Sequence, residues 1–414
     1  MRKTLLPNGI RVLSQRVPRV RSISLGVWFD VGSRDDPPEQ SGISHFIEHM
    51  LFKGTKRRSD EEIAKSLESV GGQLNAFTSR ENTCYLARVL DEDLPLALDV
   101  LSDLIQNSIF APEQIERERG VILEEIKDME DSPSELVMDN FIKLLWDGHP
   151  MGRFILGSSD SVSSLTREDL TGFLERNYLP GRMVVAAAGN LSHQDLLSLV
   201  EKSFHLTPSS LMPRGDPPTS APKRLQVIEK DTSLTHMVLG IPAYSFSDQR
   251  RYPLLFLNNI LGDGMGSRLF RTVRQRNGLA YNIYSFLDFF RDAGVFGIYW
   301  GANHQKAKEA LKLVLSELER LTTQGITDQE MAYAKSRLKG ALVLSQESTT
   351  ARMERLAQLE FFLGKYIPLS RTLKEIDAVD KEAVTWVAKE CLSSPKFFLS
   401  VLGPNGEDWE EDLV

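Results

Sequence analysis

A chain of 414 residues exceeds what one hydrophobic core comfortably serves, and it predicts two domains of roughly 200 residues each. With 41% hydrophobic and 26% charged residues the composition is that of a globular protein able to bury a core, which excludes a disordered or fibrous chain. The formal net charge of −8 argues against nucleic acid as a partner, because phosphate binding leans on clustered Lys and Arg, and it favours a basic ligand. Cys84 and Cys391 form no C-x-x-C pair, so neither a disulfide framework nor a thiolate metal site is indicated, and both read as small buried apolar residues. The opening MRKTLLPNGIRVLSQ has no apolar run of signal-peptide length and no later stretch reaches the length of a membrane span. The expectation is a cytoplasmic protein without a membrane partner.

In chain order, Ile23, Leu25, Val27 and Phe29 alternate as a strand, and a helix over the stretch SGISHFIEHMLFKGT (41–55) follows. Ile63, Leu67 and Val70 mark a second helix ending at Gly71 and Gly72. A strand begins at Cys84 in CYLARVL, and Leu94, Leu98, Leu101 and Ile105 recur at helical spacing. After a break at Ala111-Pro112, residues 113–130 predict another helix, and MVVAAAG (183–189) a closing strand. The stretch LTPSSLMPRGDPPTSAP (206–222) holds five prolines and reads as a linker between domains at 1–205 and 223–414.

Beyond the linker the order repeats. THMVLGI from Thr235 predicts a strand, YPLLFLNNIL from Tyr252 a helix, VFGIYW from Val295 a strand, then helices around Leu311, Leu315 and Leu318 and around Met331, and a last strand FFLSVLG at 397–403. Matching Gly54 to Gly262, Gln114-Ile115 to Glu330-Met331, and Gly189 to Gly403 gives offsets of 208, 216 and 214, which implies an internal duplication. Strands and helices come in uneven groups, so both halves are expected to be α+β with mostly antiparallel sheets packed with helices. At these offsets His45, Glu48 and His49 fall opposite Pro253, Phe256 and Leu257. Only the first copy carries polar chemistry there.

His45 and His49 lie one helical turn apart, so both imidazoles reach one ion beside the helix, and Glu48 points to nearly the same side. The order H-x-x-E-H is the inverted zincin signature, in which the carboxylate moves protons and a metal polarises the scissile carbonyl. Zinc then needs a third protein ligand and an open fourth position. The remaining histidines, His149, His193, His205, His236 and His304, lack a partner at ligand spacing; His149 is assigned a structural role.

The motif resembles peptidase family M16, which includes mitochondrial processing peptidase, pitrilysin and insulin-degrading enzyme, and in which a glutamate ligand follows H-x-x-E-H by about 76 positions. Counting from His49 reaches Glu125 in ERERGVILEEI, with Glu124 as the neighbouring alternative. GGQLNAFTSRENTCY (71–85), HPMGRFILG (149–157) and RLFRTVRQRNGLAY (268–281) are also similar to family segments, so the resemblance spans nearly the whole chain. It is nearest the short two-domain branch of processing peptidases and their bacterial relatives.

That resemblance implies a Zn2+ metalloendopeptidase in which His45, His49 and Glu125 hold the metal and Glu48 is the general base. Glu118, seven residues before Glu125 and hence on the same helix face, would hydrogen-bond a ligand histidine or the active-site water. Asn75 and Ala76 would hold an extended peptide substrate at a strand edge. Arg274 and Tyr281 would bind substrate backbone and steady the oxyanion from the second half, across an enclosed chamber. Glu135 and Asp139 share a helix face and resemble the pocket for an arginine near the cleavage site. Both residue sets on one chain depart from the mitochondrial enzyme, whose labour is split between two subunits, and imply a homodimer. The rival reading is a non-catalytic scaffold, since the same family includes core subunits of respiratory complexes that have lost the metal site.

Overall fold

A computed structural model describes residues 1–208, 215–393, 397–404 and 409. Residues 209–214 of the expected linker lie outside the described residues. The strands are β1 (Arg2–Leu5), β2 (Arg11–Arg16), β3 (Ser22–Phe29), β4 (Gln73–Thr78), β5 (Thr83–Leu90), β6 (Met183–Gly189), β7 (Leu225–Glu229), β8 (Thr235–Ala243), β9 (Ala280–Phe289), β10 (Gly294–Ala302) and β11 (Phe398–Gly403). They form two sheets, in the orders β1-β2-β6-β3-β5-β4 and β7-β11-β8-β10-β9. Setting β1 aside, the two orders are the same topology. Each sheet has one parallel pair, β2 with β6 and β7 with β11, and is otherwise antiparallel. The architecture is α+β, with two homologous domains.

The chain divides into two compact units, Met1–Lys127 with Arg153–Asp216 and Leu344–Tyr366, and Asp128–Gly152 with Pro217–Val343 and Ile367–Val414. The change of unit at Asp216 falls inside the expected linker, yet neither unit is one contiguous stretch. The physical reason lies in β3, where Ile23 to Phe29 are all buried, so both faces of the strand need cover. Leu25, Val27 and Phe29 enter one core, and Trp28 enters another with Met353, Leu356 and Phe361 of the helix Thr349–Leu363. Ser24 Oγ meets Thr349 Oγ1 at 2.9 Å, and Trp28 Nε1 lies 3.2 Å from Met353 Sδ.

The second unit repeats the arrangement with the helix Pro133–Leu145, whose Val137 and Phe141 pack with Val238, Val295 and Phe398. Pro133 and Thr349, the first residues of these two helices, are separated in the chain by the same offset that relates Gln114 to Glu330, as the duplication requires. Glycine marks both seats. A Cβ on Gly26 would lie 2.6 Å from Met353 Sδ, and one on Gly240, its counterpart in the second copy, 2.7 Å from Phe141 Cζ.

The helix Asp328–Ser345 starts on a reciprocal cap: Thr327 N donates to Glu330 Oε2 and Glu330 N to Thr327 Oγ1. Arg268 adds two hydrogen bonds, 2.6 Å from Nε to Oε1 and 2.8 Å from Nη2 to Oε2. No helix among the described residues is long and apolar enough to cross a membrane.

Two outcomes are expected. Gly26→Ala drives a methyl into the helix Thr349–Leu363 and lowers stability by about 1–3 kcal/mol in urea unfolding, the usual cost of overpacking. Burial raises the Glu330 carboxyl, but Arg268 and Thr327 outweigh it and hold the pKa at about 2, below the ordinary 4.5. A depressed acid contributes stability above about 4.5 that is lost as pH falls toward 2. The urea midpoints of the wild type and Glu330→Gln therefore differ above pH 4.5 and converge near pH 2.

Candidate metal centre

The helix Ile43–Leu51 is two-faced. Ile43, Phe46, Ile47, Met50 and Leu51 are buried in the first core, while His45, Glu48 and His49 share the half-exposed side. Nine residues cannot hold a helix unaided, so its ends are tied. At the start, Gly42 has φ +92°, and a Cβ there would crowd the Leu156 carbonyl. The Asp36 carboxylate, 3% exposed, accepts from Gly42 N at 2.9 Å and from Ser44 N and Oγ at 3.3 and 2.5 Å, while Arg153 Nη1 donates to the Asp36 carbonyl at 2.6 Å. Past the end, the buried Asp103 accepts from Thr55 Oγ1 at 2.8 Å and from Arg58 Nη1 at 2.5 Å.

The helix Pro112–Asp131 lays Glu118 and Glu125 against this face. Glu125 Oε2 lies 3.7 Å from His45 Nε2 and 3.6 Å from His49 Nε2, and the imidazole centroids are 4.7 Å apart. These three residues are the one group among the described residues whose His, Cys, Asp or Glu ligand atoms gather within 4.8 Å. Bonds of about 2.0–2.1 Å around a tetrahedral zinc put ligand atoms roughly 3.3–3.4 Å apart, a few tenths of an ångström less than the two His–Glu separations. Glu124 is exposed on another side and pairs with Lys127, which leaves Glu125 as the third donor.

The two histidines are held differently. Glu118 is 2% exposed; its Oε2 lies 3.1 Å from His49 Nδ1 and its Oε1 2.9 Å from Lys53 Nζ. An ionised carboxylate only accepts, so His49 carries a proton on Nδ1, and its Nε2 is the atom that faces Glu125. Burial raises the Glu118 pKa, but His49 and Lys53 prevail and the net shift is downward. For His49, burial lowers and the Glu118 hydrogen bond with the nearby carboxylates raises, and the net shift is upward. His45 Nδ1 is buried without a hydrogen-bond partner among the described residues, and burial, then the His49 charge, pulls its pKa down to about 3. His45 is thus a neutral imidazole at pH 7, as ligation of a cation requires.

Glu48 accepts a 2.5 Å hydrogen bond from Thr78 Oγ1 on β4. Burial raises its pKa, only partly offset by Thr78 and His49. The arrangement joins a trio that could hold a cation to a half-buried carboxyl biased toward accepting a proton.

Comparison with known proteins agrees with this geometry. Residues 11–159 match the family described as Insulinase (Peptidase family M16), and residues 164–338 match Peptidase M16 inactive domain. The chain belongs to peptidase family M16. It is 42% identical to an uncharacterized zinc protease of Mycobacterium tuberculosis, over 98% of this chain and 93% of that one. It is 34% identical to a probable mitochondrial-processing peptidase subunit beta of Arabidopsis thaliana, over 97% of this chain and 78% of that protein. The crystal structure of a protease from Helicobacter pylori shares the fold with TM-score 0.92 at 24% identity, covering 97% of this chain and 99% of that one.

Within this M16 chain, the remaining predicted residues lie on other parts of the structure. Asn75 and Ala76 sit on β4, a sheet edge paired only with β5 among the described strands; Asn75 is exposed, and its Oδ1 accepts from Ala76 N at 2.9 Å. Arg274 and Tyr281 belong to the second unit: Arg274 lies on a π-helical turn, Phe270–Arg276, with its guanidinium 4.9 Å from the Phe270 ring centre, and Tyr281 is the second residue of β9, at 76% exposure. Glu135 and Asp139 lie on Pro133–Leu145, also in the second unit, Glu135 exposed and Asp139 half-buried. Four of the other histidines have local hydrogen bonds. His149 Nδ1 accepts from Met151 N, His193 meets Thr4 and Ser14, His236 meets Tyr299, and His304 meets Thr235.

Sequence reasoning missed Thr78 and Lys53. Both had a signal: Thr78 lies in the stretch GGQLNAFTSRENTCY, and Lys53 is one turn past His49. Glu125→Ala removes the oxygen both Nε2 atoms face. The full chain should then lose to a chelating dialysis the zinc that wild type retains, read by elemental analysis, with its circular dichroism unchanged.

Proposed function

We propose that this chain is a zinc metalloendopeptidase that hydrolyses short or unfolded peptides, with a preference for basic ones. The observation that carries the reading is the convergence of His45 Nε2, His49 Nε2 and Glu125 Oε2 beside the half-buried Glu48. The relatives named zinc protease support zinc as the ion. Zinc bound there supplies Lewis acidity toward the scissile carbonyl and acidifies water.

The chain's own groups do the rest. His45 and His49 leave a face open beside Glu48, and Glu125, 40% exposed, sits where the trio meets solvent. Glu48 takes the proton of the attacking water and returns it to the leaving amine, and Thr78 Oγ1 fixes the orientation of its carboxylate. The free edge of β4, carrying Asn75 and Ala76, can pair with an extended substrate backbone. Arg274 and Tyr281 are assigned to substrate backbone and oxyanion, and Glu135 and Asp139 to a basic side chain of the substrate. A scaffold would have no use for a proton acceptor beside three convergent ligand atoms.

The decisive variant is Glu48→Gln. Cleavage of an unfolded basic peptide by the purified chain should fall by about 10²–10⁴-fold, the usual contribution of a general base, while zinc content stays at the wild-type level. Undiminished cleavage would remove Glu48 from the mechanism. In a peptide library, Arg or Lys should be enriched two residues before the scissile bond, and a flat profile there would end the basic preference. Sedimentation of the purified chain reads the homodimer that the resemblance implies.

A further inference from the structure

Glu118 is the most deeply buried carboxylate next to the metal trio, at 2% exposure. A buried carboxylate is tolerated only where each oxygen finds a partner of fixed geometry. Here each oxygen has one: Oε2 lies 3.1 Å from His49 Nδ1, and Oε1 lies 2.9 Å from Lys53 Nζ.

Lys53 is held where it must stand to do this. It follows the motif helix by two residues, its amide donates to the Met50 carbonyl at 3.1 Å, and the preceding Phe52 amide donates to the His49 carbonyl at 3.2 Å. Gly54 then turns the chain with φ +109°, and Thr55 is clamped to Asp103. The Lys53 side chain is 30% exposed, so its stem covers the site and its ammonium points inward to Glu118.

We propose that Lys53 is a positioning residue for the metal centre: by gripping Glu118 Oε1 it fixes the carboxylate plane, so that Oε2 holds His49 Nδ1–H and His49 presents Nε2 to the ion. His45 has no such support among the described residues, where its Nδ1 is buried without a partner. The grip on the cation is therefore asymmetric, with His49 as the pre-set ligand and Lys53 at the root of the chain Lys53–Glu118–His49. The inference rests on the reading of His45, His49 and Glu125 as a zinc site.

The test measures the zinc dissociation constant of the full chain by competition with a chelator, for wild type, Lys53→Met, Lys53→Arg, Glu118→Gln and the double variant Lys53→Met/Glu118→Gln. Lys53→Met should weaken zinc binding about tenfold, the lower end of the effect of losing an outer partner of a ligand histidine, while Lys53→Arg stays within about threefold of wild type. In the Glu118→Gln background, Lys53→Met should change the constant by no more than about twofold, because its path to the metal has been cut. Lys53→Gln replaces Lys53→Met if the latter does not fold, as judged by thermal melting in EDTA. Wild-type zinc affinity in Lys53→Met overturns the proposal, and so does an equal loss in both backgrounds. A wild-type chain that takes up no zinc fails earlier and separately, and it overturns the zinc reading itself.

Discussion

The site depends on a single helical stripe. Glu118 and Glu125 are two turns apart on Pro112–Asp131, roughly 10 Å along the axis, facing two imidazoles one turn apart on Ile43–Leu51. That stripe runs from the interior to the surface: the Glu118 side chain is 3% exposed and that of Glu125 40%. Depth alone separates their chemistry. The buried carboxylate is held by Lys53 and His49 and is shut off from solvent. The outer one faces both Nε2 atoms where a substrate can arrive.

Duplication supplies the frame, and the second copy shows what the frame does without the chemistry. The helix Arg251–Leu261 is the counterpart of Ile43–Leu51, and Phe256 and Leu257, opposite Glu48 and His49, are wholly buried. Where the first unit leaves that helix face half-open, the second closes it with apolar side chains. The same strand order therefore carries a half-open polar surface once and a packed one once. The paired glycines Gly26 and Gly240 show that the covering helices, unlike His45, Glu48 and His49, have counterparts in both copies.

Much of this was legible in the sequence because it rests on spacing. H-x-x-E-H, the alternation of β3 and the near-constant offset between halves are periodic or additive signals that survive without coordinates, whereas Glu125 was reached only through the family resemblance. The covering helices were not legible, since Thr349–Leu363 and Pro133–Leu145 look in sequence like parts of the halves that contain them. Only the two-sided burial of β3 shows that the sheet needs one from elsewhere. Thr78 and Lys53 escaped for a related reason. Their positions in the sequence mark them, but their roles come from a 2.5 Å contact across elements and from an ammonium reaching a carboxylate on a helix distant in the chain.

The stretches that carry the family resemblance turn out to be largely supports for the motif helix. In HPMGRFILG, Arg153 holds the Asp36 carbonyl, and Gly157 leaves room for the chain at Ser41 and Gly42. In GGQLNAFTSRENTCY, Thr78 holds Glu48, and Glu81 forms a buried ion pair with Arg34 at 3.0 Å, two residues before Asp36. A helix of nine residues is too short to be stable by itself, and a metal site tolerates little displacement of its ligands, so the cost of precision is spread over distant residues. Asp36 at one end, Asp103 beyond the other and Glu118 alongside are three buried carboxyl groups, each with its donors supplied, that together fix where His45 and His49 stand. Their burial is what makes them effective anchors: in a poorly screened interior, a carboxylate that slips from its donors is left unpaired, and that penalty holds the helix in register.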